Sequence, residues 1–294
     1  MNQELKLVNY ISEKGRAYFD LTKFRLSLTV TSSGAFGFAL ANEVFDWKRI
    51  LLFCIAAFAT TASANIINQI IERELDKKMT RTEGRPMPSG RLSVMESAIF
   101  GVIMLMIAVL ILTFEFNIRA MLLAVLSMIL YGFVYTPLKR VGPIAVAVGA
   151  VPGALPPMIG WVASTGSFGL EPGILFAIQF FWQFPHFWAI AWVLDDDYKK
   201  AGFRLLPSKG GQDIHSAVQM MIYTLFLLPI CWLPYYLGMT GINSAFFAML
   251  MGVLFLAQTF HLMRKVSKKA ALQLMFGSFI YLPFVQIAYL IDKV

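Results

Sequence analysis

The chain contains nine apolar runs that are long enough to cross a lipid bilayer as α-helices. A helix needs about 20 apolar residues to span the hydrocarbon core. Hydrophobic residues make up 58% of the 294 residues and charged residues only 14%, a balance outside the range of soluble domains. The sequence therefore predicts an all-α, polytopic membrane protein. The nine predicted transmembrane helices cover residues 24–42, 49–71, 94–114, 118–136, 143–164, 172–194, 217–238, 243–263 and 272–290.

Basic residues divide unequally between the two sides that these nine helices define. Of the 25 Lys and Arg residues, 21 fall on the side of the N-terminus and only 4 on the other. The positive-inside rule then predicts a cytoplasmic N-terminus and an external C-terminus. The net charge of +8 is explained by this topology and by anionic lipid, so no nucleic-acid partner is expected.

The domain organisation follows from the same pattern. Residues 1–22 are predicted to be a cytoplasmic N-terminal segment, and they lack the short apolar core of a cleavable signal peptide. Residues 23–294 are predicted to form a single transmembrane domain. The expected location is a bacterial cell (inner) membrane.

The most unusual stretch lies where the second apolar run leaves the membrane. Asn68, Glu72 and Asp76 are spaced four residues apart there. On an α-helix such positions drift by only about 40° per step, so one amide and two carboxylates are predicted to share a face. Polar groups are costly at this depth, and their presence predicts a functional site.

A loop rich in basic residues follows this polar face. Two prolines and two glycines between residues 81 and 90 predict that the loop folds back over the helix end. Its density of positive charge predicts an anionic ligand at the membrane surface. The alternative is a solvated loop that obeys the positive-inside rule, which explains the arginines but not the aligned carboxylates.

A second group of carboxylates, Asp195–Asp197, follows the sixth apolar run on the same predicted side. Carboxylates that face each other across a bundle repel unless cations lie between them. Mg²⁺ prefers oxygen ligands and phosphate oxygens, so the two groups and their basic neighbours predict a metal-dependent diphosphate site. The metal would neutralise the charge that grows on a leaving diphosphate. The bundle is therefore predicted to surround a cavity that opens toward the cytoplasmic side.

Polar residues also occur within the sixth run itself. Gln179, Gln183 and His186 are spaced to share one helix face, which predicts a cavity wall. Three prolines in residues 149–161 predict that the fifth run lines a cavity as well. If the diphosphate belongs to an isoprenoid, its tail would lie in this cavity, and aromatic faces would stabilise an allylic cation. The aromatic candidates are Phe180, Phe181, Trp182 and Trp188.

Several motifs resemble those of a known family. The pattern N-x3-E-x3-D that begins at Asn68, followed by RTEGRP, resembles the first acidic signature of the UbiA superfamily of intramembrane prenyltransferases. Further motifs resemble the branch of that superfamily that farnesylates heme. They are YTPLKR at 135–140, GAVPGALPPMIGW at 149–161, FPHFWAIAW at 184–192 and DY-x3-G at 197–202. The resemblance extends in order over residues 20–290.

The resemblance implies Mg²⁺-dependent transfer of a farnesyl group from farnesyl diphosphate to a vinyl group of heme B. The product would be heme O for terminal oxidases. Further implied partners are the lipid bilayer and a heme A synthase or a terminal oxidase assembly. The implied catalytic residues are Asn68, Glu72, Asp76 and Asp197, and the implied metal ligands are Asn68, Glu72, Asp76, Asp196 and Asp197. The implied diphosphate ligands are Arg73, Lys77, Arg81, Arg85, Lys139 and Arg140, and the implied heme contacts are His186 and Gln183.

Two departures from the superfamily pattern bear on the alternatives. Glu72 stands where many members have Asp, which keeps the charge but lengthens its reach. The second hypothesis is prenylation of an aromatic quinone precursor, but Val193 stands where relatives with that activity have Asp, which argues against it. The third is a secondary transporter, which would place polar groups at the bilayer centre and show an inverted repeat. Here the carboxylates gather on one side, and no repeat is evident.

Overall fold

The structure, a computed structural model, describes residues 3–42, 44, 46–209 and 211–294, with side chains from residue 9 onward. The described chain is helical, apart from one isolated β-bridge between Thr240 and Lys293. Two π-helical segments, Leu112–Phe116 and Leu130–Tyr135, continue α4 and α5. The helices are α1 (Gln3–Leu21), α2 (Phe24–Ala41), α3 (Trp47–Asp76), α4 (Val94–Ile111), α5 (Ile118–Ile129), α6 (Thr136–Leu138), α7 (Ile144–Thr165), α8 (Leu170–Val193), α9 (Asp195–Lys200), α10 (Ile214–Ile230), α11 (Leu233–Tyr236), α12 (Ile242–Lys265) and α13 (Lys268–Ile291).

The nine apolar runs all form helices of one bundle, so the predicted fold class is confirmed. In the described ranges, eight helical units are long and apolar enough to cross a membrane. The helix α2 is not among these eight, and its buried face carries Thr31, Ser33 and Gly34. It packs against α3, α7 and α13 as the ninth helix of the bundle. Large apolar side chains such as Phe114 and Leu122 are exposed on the outside, where lipid solvates them.

The N-terminal segment forms the helix α1, which the sequence did not predict. It lies at the end of the bundle that holds Glu72 and Asp76, here called the carboxylate end, where Arg91 Nη1 is 2.7 Å from Asp20 Oδ2. At the far end of the bundle, Lys293 Nζ donates to the backbone carbonyl of Asn42. The two ends of the described chain therefore lie on opposite sides of the bundle, as nine crossings require.

The backbones of α2 and α7 approach each other closely. A Cβ atom on Gly37 would overlap the carbonyl group of Pro157, and one on Gly160 would overlap the carbonyl group of Gly34. Small residues allow such contacts in membranes, where packing replaces the hydrophobic driving force. This contact fixes α7, with its prolines, in the centre of the bundle.

The prolines of α7 leave backbone carbonyls without a helical partner, and side chains from neighbouring helices satisfy them. Pro157 frees the Gly153 carbonyl, which accepts a hydrogen bond from Gln179 Nε2 at 2.7 Å. The adjacent proline frees the Pro152 carbonyl, which accepts from Ser127 Oγ at 3.1 Å. The prediction that irregular backbone at this depth is buried or lines a cavity is thus confirmed, although α7 stays continuous.

Replacing Gln179 by alanine is expected to destabilise the bundle by about 1–3 kcal/mol, because the Gly153 carbonyl would be left unsatisfied. Gln179 Oε1 also accepts from Ser33 Oγ at 2.5 Å, so a second helix would lose a contact. Thermal unfolding in detergent measures the change. Gln273→Ala, on the exposed side of α13, is the matched control. Equal unfolding midpoints for the two variants would contradict this account of α7.

Candidate active site

The polar face of α3 lies inside the protein. The helix α3 runs unbroken for 30 residues, so the membrane-spanning part and the polar face belong to one rigid element. Asn68, Glu72 and Asp76 are all buried, with exposed fractions of 3% or less. Two carboxyl groups and an amide are therefore held close together at the carboxylate end.

Each residue of this face contacts one cation from a different segment. Arg85 Nη1 lies 2.7 Å and 2.6 Å from the two carboxylate oxygens of Asp76. Lys139 Nζ lies 2.8 Å from Glu72 Oε1. Lys23 Nζ donates to Asn68 Oδ1 at 2.8 Å. Acidic and basic groups therefore alternate around this site, which suits a metal together with an anion.

The cations of the site act on one another. Burial lowers the pKa of Lys23 well below its usual value, and repulsion from Arg85 and Lys139 adds to this effect. Burial also acts to lower the pKa of Lys139, but attraction to Glu72 outweighs it and the net pKa is raised. The nearby carboxylates of Glu72 and Asp76 offset part of this repulsion, and a bound anion would offset more of it.

Lys23 contacts the polar face of α3, although it was not among the predicted site residues. It separates α1 from α2 with a backbone φ of 49°, in the left-handed region that non-glycine residues rarely adopt. This sharp turn directs its side chain toward Asn68. The available signal was its position in a pair of cations directly before the first apolar run, a pattern also typical of membrane anchors.

The structure brings only part of the predicted diphosphate set to the polar face of α3. Arg85 and Lys139 belong to the site, whereas Arg73 and Lys77 contact the exposed carboxylate of Glu74 instead. The reason is geometric, since a helical residue is rotated by about 100° from its neighbour and these cations directly follow Glu72 and Asp76. Two other predicted ligands have exposed side chains at the surface of the carboxylate end, namely Arg81 and Arg140.

The three carboxylates of the second acidic group, Asp195–Asp197, point in different directions from α9. Asp197 accepts from the backbone N–H groups of Thr80 and Arg81 at 3.0 Å and 3.4 Å, which joins α9 to the basic loop. These bonds and one from Lys200 outweigh partial burial and lower the pKa of Asp197. Asp195 is buried against Lys199.

Asp196, a predicted metal ligand, points away from the polar face of α3. Its side chain is 81% exposed and lies 3.6 Å from Lys268 Nζ, outside the site. Consecutive residues of a helix point in different directions, so only one of three neighbouring carboxylates can face the basic loop. Asp197 is the one that does.

The donor set of the site fits Mg²⁺ that arrives with a phosphate ligand. In the part of the chain that the structure describes, no group of three or more His, Cys, Asp or Glu side chains forms a metal cage. Mg²⁺ usually needs only one or two carboxylates when substrate phosphates and water supply its other ligands. Glu72, Asp76 and the amide oxygen of Asn68 are suitable groups, and Asp197 lies across the basic loop from them.

A central cavity of about 210 Å³ lies within the bundle, and Asn65, one helical turn before Asn68 on α3, lines it. Tyr131 and Tyr135 line it near the carboxylate end, where Lys139 Nζ lies 4.9 Å from the ring centre of Tyr135. Both tyrosines belong to the π-helical segment, a geometry that is frequent at functional sites. Gln183 and His186 also line it, as the sequence predicted for a cavity-facing side of α8.

The hydrogen bonds of Ser278 determine the tautomer of His186. Ser278 Oγ donates its proton to the Met275 carbonyl at 2.6 Å, so it accepts from His186 Nδ1–H at 2.8 Å. His186 Nε2 is then left as an acceptor with a free lone pair. A neutral histidine of this kind, fixed by its other nitrogen, is suited to ligate a metal or accept a proton.

Only one of the predicted cation-stabilising aromatic residues faces the cavity. Trp182 lines the cavity wall. Phe181 and Trp188 instead pack against Tyr223 of α10, with ring centres 6.2 Å and 5.3 Å away. Phe180 also packs within this aromatic layer. Their role is therefore helix packing.

Comparison with known proteins agrees with this arrangement. Residues 30–282 match the UbiA prenyltransferase family, and the chain belongs to that family. A protoheme IX farnesyltransferase from Cytophaga hutchinsonii is 56% identical over 280 residues, which cover 95% of this chain and 98% of the relative. The sequence-based prediction of a heme-farnesylating member is confirmed by this similarity.

Solved structures share the fold. A digeranylgeranylglyceryl phosphate synthase has a TM-score of 0.79 at 23% identity, with coverage of 95% of this chain and 98% of that one. A UbiA homolog from Archaeoglobus fulgidus bound to GPP and Mg²⁺ has a TM-score of 0.65 at 15% identity, with coverage of 93% and 99%. These likenesses support the bundle architecture.

Proposed function

We propose that this protein transfers the farnesyl group of farnesyl diphosphate to a vinyl group of heme B, with Mg²⁺ as cofactor and heme O as product. The observation that carries the proposal is the face formed by Asn68, Glu72 and Asp76, which adjoins three cations and the apolar cavity that contains His186. The name of the relative from Cytophaga hutchinsonii supports heme as the acceptor.

The carboxylate end would bind the diphosphate. Lys23, Arg85 and Lys139 would contact its oxygens, and Asn68, Glu72, Asp76 and Asp197 would hold Mg²⁺ against it. When bound, Mg²⁺ neutralises the negative charge that develops on the leaving diphosphate. The Archaeoglobus fulgidus homolog bound to GPP and Mg²⁺ supports this choice of metal. Arg81 and Arg140 would attract the substrate from the surface.

The cavity would then control the reaction. The bond between farnesyl C1 and oxygen breaks, and its electron pair leaves with the diphosphate. C1 bonds to the terminal vinyl carbon, and the cation at the inner vinyl carbon takes the oxygen of one water molecule and releases a proton. Trp182, Tyr131 and Tyr135 line the cavity, where their rings would stabilise the farnesyl cation and exclude other water.

His186 and Gln183 would contact the heme. Both line the central cavity from α8. His186 Nε2 is available as a ligand for the heme iron, whereas Gln183 Nε2 donates to the Ala150 carbonyl at 3.1 Å. Gln183 Oε1 packs against Gly153 of α7, so Gln183 would contact the porphyrin through the face of its amide.

The cellular setting is part of the proposal. The excess of Lys and Arg at the carboxylate end supports a bacterial inner membrane with this end and the N-terminus in the cytoplasm. The product would pass to a heme A synthase or a terminal oxidase assembly. Prenylation of an aromatic quinone precursor is the remaining alternative, which Val193 disfavours.

Replacing Lys23 by methionine is expected to raise the KM for farnesyl diphosphate about 10- to 100-fold, because a buried charge-assisted contact is lost while the stem is kept. Steady-state kinetics in detergent with varied diphosphate concentration would show this. Arg25→Met removes a neighbouring exposed cation and is the control. An unchanged KM in Lys23→Met would exclude Lys23 from the diphosphate site.

Analysis of heme products tests the proposed acceptor in cells. A strain without its own heme prenyltransferase, expressing this chain, should contain a heme that is retained longer than heme B on reversed-phase chromatography. Mass spectrometry should show one added farnesyl group and one added hydroxyl group. If an aromatic acid is prenylated instead and heme B is unchanged, the quinone-type alternative is correct.

A further inference from the structure

A second, smaller cavity continues the central one away from His186. It lies between α2, α3, α5 and α7 and shares Val30, Thr60, Thr61 and Ser127 with the central cavity. Its volume of about 40 Å³ corresponds to space for about three water molecules, the size of one five-carbon isoprene unit. This cavity is called the apolar arm below.

The hydroxyl groups at the opening of the apolar arm are turned toward the backbone. Thr60 Oγ1 and Thr61 Oγ1 donate to carbonyls one turn earlier in α3, at 2.9 Å and 2.8 Å. Ser127 Oγ donates to the Pro152 carbonyl at 3.1 Å. Their polar atoms are thus satisfied within the protein, and carbon surfaces are left to face the arm. The lining of the apolar arm therefore suits a hydrocarbon ligand. The α8 side of the central cavity, in contrast, carries amide and imidazole groups.

An aromatic wall closes the apolar arm at the far end of the bundle. Phe53 lines the arm and is 1% exposed. Its ring stacks on Phe38, with centres 5.2 Å apart, and meets Phe116 edge-on at 6.0 Å. Gly34 leaves room for the ring, since a Cβ atom there would lie only 3.1 Å from it. Packed on several sides, Phe53 is a fixed stop.

The distance from the diphosphate site to this wall matches one isoprenoid length. Phe53 and Asn68 are fifteen residues apart on the unbroken helix α3, so their levels differ by about 22 Å. The metal and the phosphate take up part of this distance at the Asn68 end, and a van der Waals contact takes up part at the Phe53 end. About 14 Å then remains for the prenyl chain. The twelve main-chain carbons of a farnesyl group, with bonds of about 1.5 Å in a zigzag, also extend about 14 Å.

We propose that the apolar arm binds the terminal isoprene unit of the prenyl diphosphate and that Phe53 limits the chain to fifteen carbons. The heme would then occupy the His186 side of the central cavity, so the two substrates approach from different directions. The inference rests on the prenyl-transfer function proposed above. It adds a residue that determines which chain length is accepted.

Binding of non-reacting thio-analogues of geranyl, farnesyl and geranylgeranyl diphosphate tests the inference without any acceptor. With Mg²⁺ present, Phe53→Ala is expected to raise the affinity for the twenty-carbon analogue relative to the fifteen-carbon one at least tenfold. Ala57→Leu, which fills the arm, is expected to lower the affinity for the fifteen-carbon analogue at least tenfold relative to the ten-carbon one. Phe53→Leu serves as a smaller change in case the alanine variant does not fold.

Phe114→Ala is the matched control, because this ring is 78% exposed on the outside of the bundle. It should leave all three affinities unchanged. Unaltered chain-length preference in both the Phe53 and the Ala57 variants would overturn the proposal. Because the measurement uses no heme, failure of heme prenylation leaves this series interpretable, and the two proposals can fail separately.

Discussion

Asp76→Ala is expected to abolish prenyl transfer, with kcat/KM lowered by roughly 10³-fold or more. The substitution removes a fully buried carboxylate from the end of α3 where metal and diphosphate would meet. Turnover of farnesyl diphosphate by purified protein in detergent, with heme B and Mg²⁺, measures the loss. Retained turnover would exclude Asp76 from the metal site.

A loss of turnover in Asp76→Ala must be distinguished from a loss of folding. Loss of Asp76 leaves Arg85 partly buried without its partner, which costs about 3–5 kcal/mol. Asp76→Asn keeps the shape of the side chain and should be equally inactive with a smaller loss of stability. Glu74→Ala, on the exposed face of the same helix, is the control and should retain normal turnover.

His186→Ala is expected to lower kcat/KM for heme by about 10²-fold, because the acceptor would lose the contact that positions it. The affinity for the prenyl diphosphate should stay the same, since His186 belongs to α8 and is not among the residues assigned to the diphosphate. The absorption spectrum of bound heme reports the contact directly. The wild-type spectrum should show a histidine-ligated iron, and the variant should lose this signature.

Ser278→Ala tests whether Ser278 positions His186 for its contact with the heme iron. Without the acceptor at 2.8 Å, the proton of His186 is no longer held on Nδ1, and heme affinity should fall about tenfold. Gln273→Ala, on the same helix but exposed, should not change the spectrum. If His186→Ala and wild-type protein show the same bound-heme spectrum, His186 is not the iron ligand.

The sequence predicted the bundle because length and hydropathy alone decide where helices cross a membrane. The face that joins Asn68, Glu72 and Asp76 followed from helical spacing. The same spacing, applied one residue further, would have placed Arg73 and Lys77 beside Glu74 rather than in the site. The prediction counted nearby cations without considering the direction in which each side chain leaves the helix.

Other features depend on tertiary contacts that spacing does not encode. Lys23 reaches Asn68 only because a left-handed turn separates α1 from α2. Asp197 differs from Asp196 because the basic loop donates two backbone N–H groups to it. The apolar arm arises where four helices meet, so its wall at Phe53 has no signature in the sequence.

The central claim is that this bundle joins a farnesyl group to heme at the face of Asn68, Glu72 and Asp76. The most direct test incubates purified protein with farnesyl diphosphate, heme B and Mg²⁺. The hemes are then separated by chromatography, and their masses are measured by mass spectrometry. The account predicts a heme that carries one farnesyl and one hydroxyl group, formed only with Mg²⁺ and absent with Asp76→Asn. Unmodified heme B from folded wild-type protein, or equal product from Asp76→Asn, would contradict it.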